Sequence, residues 1–74
     1  MDYIKEIEAE IKRAEKQHPD WPKDILHQMS IVNEEAGEAT HAANRHVMKN
    51  GSINIMKWQL ISTAAMCLRM LRNL

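Results

Sequence analysis

From Ile53 to Leu74 the chain carries apolar residues on two faces of one helix, and that doubly apolar helix constrains the fold more than any other feature. One stripe runs Ile53, Met56, Leu60, Ala64, Cys67, Leu71 and Leu74 in steps of three and four. A second flank runs Trp58, Ile61, Ala65 and Leu68, and Met66 and Met70 cover much of the remaining surface. A helix apolar on most sides is buried on most sides. The 74 residues make one domain, 1–74, and a chain this short buries only about 60% of its unfolded surface. Two further helices in one chain cannot cover the third. The expectation is therefore a homodimer or homotetramer in which the second and third helices of each chain build a four-helix core.

The rest of the pattern supplies those two helices and no strand. Ile4, Ile7, Ile11 and Ala14 recur at helical spacing behind Asp2, an N-cap candidate. This short helix stops at "QHPDWPKD", where Pro19 and Pro22 disfavour helix in the residues before them and Asp24 can cap the next helix. That long second helix carries a seam through Ile25, Met29, Val32, Ala36, Ala39, Ala43 and Val47. Asn50 and Gly51 in "KNG" end it, and Ser52 or Asn54 caps the third. The predicted class is all-α: a short first helix packed on a long antiparallel pair.

Within the second helix, "IVNEEAGEATHAAN" crowds Glu34, Glu35 and Glu38 into five residues. At 100° per residue, with Val32 as the centre of the seam, Glu35 lies roughly 60° away, Glu38 about 120° and Glu34 about 160°. Like charges at this spacing repel, and more strongly at the edge of a core. Something positive has to neutralise them: a divalent cation such as Mg²⁺ or Mn²⁺, or Lys and Arg side chains from elsewhere in the chain. Gly37, at about 1 kcal/mol less favourable than Ala in mid-helix, suggests a close approach to the backbone.

"HPDWPKDILHQMSIVNEEAGEATHAAN", followed by a long apolar helix with "STAAMCLRML", resembles the MazG-like branch of the all-α nucleoside triphosphate pyrophosphatases, in particular its small phage-type members. The resemblance spans Pro19 to Leu71 and is most specific at Glu34, Glu35, Gly37 and Glu38. It implies an oligomeric helical bundle and Mg²⁺-dependent hydrolysis of a (d)NTP to a (d)NMP and pyrophosphate. By the same resemblance Glu34, Glu35 and Glu38 are metal ligands, Glu35 and Glu38 take part in catalysis, and Trp21 brings an aromatic ring near the site. The chain departs from the family where E-x-x-D is expected on the next helix, since Gln59 and Ser62 stand there and no carboxylate occurs after Glu38. Activity is then weak or lost, unless Glu10, Glu15, Asp20 or a second subunit restores the count. The alternative is a catalytically degenerate bundle that binds nucleotides or serves as an interaction module.

Charge and composition narrow the remaining choices. Residues 1–38 hold all ten acids and five of the ten basic residues, a net of −5, and residues 39–74 hold the other five basic residues, a net of +5. The halves should attract, while the neutral total argues against a nucleic-acid partner. Neither the N-terminus nor the apolar third helix reads as a targeting or membrane segment, so the reading is cytoplasmic with no membrane partner. Cys67, the single cysteine, reads as a buried core residue. Glu38 and His41 form E-x-x-H, a spacing also used by di-iron bundles. His41 and His46 read as polar surface residues. Trp21 plugs one end of the core, or with His18 stacks on a base, and Lys57, Arg69 and Arg72 are candidate phosphate contacts.

Overall fold

The computed structural model describes residues 2–49 and 51–74, leaving Lys49 without a described side chain. Three helices occur in order: α1 (Tyr3–Gln17), α2 (Ile25–Lys49) and α3 (Ile53–Arg72), with no strand among the described residues. The caps are local and simple. The Asp2 carboxylate accepts from the Ile4 and Lys5 amides at 3.1 and 3.3 Å, and the Ser52 hydroxyl accepts from Asn54 and Ile55 at 3.1 and 3.4 Å. Asp24 accepts from the Leu26 amide at 3.4 Å as α2 begins. Asn50, expected to help end α2, lies outside the described residues. Gly51 sits so close to α2 that a Cβ there would meet the Arg45 carbonyl carbon at 3.0 Å, which accounts for glycine at that position.

The short link folds α3 back along α2. α3 packs against both other helices, and no close backbone contact joins α1 to α2 among the described residues. Ile11, Ala14, Val32, Ala65 and Met66 form the core, with Ile7, Trp21, Ile31, Leu68 and Met70 packed around them. Ala14 and Ala65 are small, which lets the helix backbones approach closely.

Several expectations change on this geometry. On α2 the buried stripe is Gln28, Val32, Ala39 and Ala42, so the helix is turned by roughly 40° toward Glu35. Ile25, Met29 and Val47 are left exposed. One cause is visible at the start of the helix, where the buried Gln28 donates through Nε2 to the Pro22 carbonyl at 2.7 Å and holds that face inward. On α3 the flank of Ile61, Ala65 and Leu68 enters the core, whereas Leu60, Cys67, Leu71 and Leu74 of the longer stripe stay exposed. Cys67 is thus a surface thiol, because it belongs to the stripe this chain does not cover. Gly37 has open space where a Cβ would be, so no part of the described chain requires glycine there. His41 is exposed as expected, but His46 is half-buried, its Nδ1 2.7 Å from the Gly51 carbonyl oxygen.

Candidate functional site

A cleft of about 600 Å³ opens between α1 and α2, with α3 as its floor. Glu34, Glu35 and Glu38 line its α2 wall, Gln59, Ser62 and Arg69 come from α3, and Trp21 from the connecting turn. The three acids, Trp21, Gln59, Ser62 and Arg69 therefore meet in one place, whereas Arg72 does not line it. Lys57 is exposed and lies outside this lining. Trp21 also packs against the core, so it serves both as plug and as cleft wall; its indole N–H is buried without a hydrogen-bond partner among the described residues.

The turn that carries Trp21 is fixed from α3. Arg69 is nearly fully buried, donates through Nη2 to the His18 carbonyl at 3.1 Å, and places its guanidinium carbon 4.5 Å from the Trp21 ring centroid. Its charge is occupied in holding the turn rather than free to meet a ligand. Arg72 pairs with Glu8 at 2.5 Å and so bridges the acidic and basic halves.

Residues from α1 complete the cleft, and the acidic cluster alone did not reveal them. Glu10 is 4% exposed and lies on the same lining, as does Asp20, whereas Glu15 does not. Arg13 grips Glu10 through Nε to Oε2 at 2.9 Å and through Nη2 to Oε1, and its Nη1 donates to Gln17 at 3.0 Å. Trp58 borders the cleft too, its ring centroid 5.7 Å from the Arg13 guanidinium carbon. The sequence held one signal of this: Glu10 falls between Ile7, Ile11 and Ala14 on the inward stripe of α1, with Arg13 three residues on as a ready partner.

The electrostatics stem from this arrangement. Burial first, then the carboxylates of Glu38, Glu10 and Glu34, push the Glu35 carboxyl above its ordinary value of 4.5, and Arg13 offsets part of the rise. Arg13 itself is held in its charged form by the hydrogen bond and charge of Glu10. No ion pair among the described residues reaches Glu34, Glu35 or Glu38. Because Glu35 binds its proton more tightly folded than unfolded, folding takes up a proton in the window above 4.5. Its contribution improves as pH falls through that window, and at neutral pH the charged form is a penalty. Glu35→Gln is expected to raise stability at pH 7 by about 0.5 kcal/mol and to flatten this part of the pH profile. Thermal melts from pH 5 to 8 check it, and an unchanged or lower midpoint at pH 7 would refute it.

The donor chemistry of the α2 wall, three hard carboxylates, suits Mg²⁺ or Mn²⁺. As the side chains stand, no three His, Cys, Asp or Glu among the described residues converge as a metal-binding group. Glu34 and Glu38 are exposed and Glu35 is half-buried. The E-x-x-H pair faces a second, shallower depression with Glu34, Glu38, His41 and Arg45. Arg45 places a positive charge in it, which disfavours a di-iron reading.

Compared with protein families, characterised proteins and solved structures, the chain matches none. No helix among the described residues is long and apolar enough to cross a membrane.

Proposed function

We propose that the cleft binds a nucleoside triphosphate with a divalent cation and hydrolyses it slowly to a monophosphate and pyrophosphate, in the manner of the MazG-like proteins the sequence resembles. One observation carries this reading: Glu34, Glu35, Glu38, Trp21, Gln59 and Ser62, singled out by the resemblance from three separate segments, line a single cleft. Glu34, Glu35 and Glu38 would hold the cation, which supplies charge neutralisation on the phosphates and a more acidic water. Glu35, the least exposed of the three acids, would act as the base toward the attacking water. Water attacks phosphorus, its proton passes to Glu35, and the bond to the pyrophosphate oxygen breaks. Trp21 offers an aromatic wall for the base, and Ser62 and Gln59 offer neutral hydrogen-bonding groups where the family carries acids.

That neutral floor favours a second reading, a nucleotide-binding or interaction module that has lost catalysis. The two separate in an assay of pyrophosphate release from NTPs and dNTPs with Mg²⁺ or Mn²⁺. In the enzyme, Glu38→Gln removes a proposed metal-ligand carboxylate and is expected to abolish release. Folded wild-type protein that releases no pyrophosphate from any nucleotide would leave only the binding module.

We also propose that the protein self-associates through the uncovered stripe of α3. The chain exposes 5592 Å², whereas a compact monomer of 8.6 kDa is expected to expose about 4700 Å². The excess of roughly 900 Å² is close to the roughly 800 Å² that one partner contributes to a standard interface.

A further inference from the structure

We propose that Arg13 is the phosphate-binding cation of the cleft, oriented by Glu10 and Trp58. The inference rests on the nucleotide reading above and adds a residue that neither the acidic cluster nor the family resemblance pointed to. A triphosphate entering beside Glu34, Glu35 and Glu38 meets three like charges, so it needs a positive group besides any metal.

The basic side chains of α3 do not supply it. Lys57 and Arg72 lie outside the lining, and Arg69 is buried against Trp21 and the His18 carbonyl. Arg13 differs in place and in exposure, although it too is paired, with Glu10. It lines the cleft, and its side chain is 49% exposed. A guanidinium has five N–H donors; Nε, Nη1 and Nη2 each donate once to Glu10 or Gln17, leaving two for a ligand.

The surroundings prepare those donors. Glu10 is buried, so its carboxylate is fixed, and the two-point grip fixes the plane of the guanidinium. Trp58 stands against the same group and limits its swing. A planar fork held in this way suits two oxygens of one phosphate, which a lysine ammonium would meet only as a point charge. Glu10 thus acts as a positioning residue, and its own charge is already matched before a ligand arrives.

Calorimetric titration with Mg²⁺–dNTP and with inorganic tripolyphosphate, on wild type and Arg13→Lys, tests this. The lysine variant is expected to bind both ligands about 10- to 100-fold more weakly, with a thermal midpoint close to wild type. Should Arg13→Lys fail to fold, the paired change Glu10→Gln with Arg13→Gln replaces the ion pair by an amide pair, and the same loss is expected. Wild type and a folded variant binding both ligands equally would overturn the role of Arg13 and leave the nucleotide reading standing. If wild type binds neither ligand, the nucleotide reading fails and this inference falls with it.

Discussion

Ile11→Ala is expected to lower the thermal midpoint by roughly 10–30 °C, as followed by circular dichroism at 222 nm. Ile11 is 1% exposed and, among the described residues, is the one large side chain in the core with almost no solvent contact. It shares the core with Ala14, Ala65, Val32 and Met66, and Ile7, Trp21, Ile31, Leu68 and Met70 pack around this cluster. Truncation leaves a gap inside this cluster, so the loss should fall within the 2–5 kcal/mol typical of Ile→Ala in a core. A domain of this size has about 4–11 kcal/mol of stability in total, and each kcal/mol moves its midpoint by about 4–8 °C. Ile4→Ala on the same helix is the control, because Ile4 is exposed and should change little. A midpoint for Ile11→Ala within a few degrees of wild type would mean that α1 is not anchored on α3.

What the sequence made legible was local. Asp2, Asp24 and Ser52 cap helices within three residues of their own positions, and Pro19 and Pro22 act on their immediate neighbours, so element number and order emerged without tertiary knowledge. The choice of face was not legible. α3 offers two apolar stripes of similar strength, and periodicity cannot say which one meets α1 and α2. The Ala65 flank is used because its small side chain admits close approach, and Ala14 on α1 is equally small. On α2, the inward turn depends on Gln28 reaching the Pro22 carbonyl, a polar contact no hydrophobic count reveals. The α2 wall of the cleft was legible because its acids sit within five residues of one another. Arg13 and Trp58 were not, since they join it only once α1 and α3 are packed, from positions at least twenty residues away on either side.

The stripe left uncovered on α3 carries the largest expected effect. Leu60→Glu combined with Leu71→Glu is expected to convert an associated protein into a monomer, as measured by sedimentation velocity across micromolar concentrations. Leu60 is 53% and Leu71 63% exposed in the single chain, so within one protomer neither change removes a core contact. In a two-fold assembly each position occurs twice, so four leucines leave the interface. At about 1.5–3 kcal/mol for each buried leucine, the total loss is roughly 6–12 kcal/mol, which weakens association at least ten-thousandfold. Four buried carboxylates would add to it. Cys67 lies between the two positions on the same stripe and is exposed in the single chain, which gives a second readout. Its thiol should react slowly with a disulfide reagent in the associated wild type and quickly in the double variant. A wild type that sediments as a monomer at hundreds of micromolar, with Cys67 fully reactive, would show that the stripe faces water, and the 74-residue chain would then be stable by its three-helix core alone.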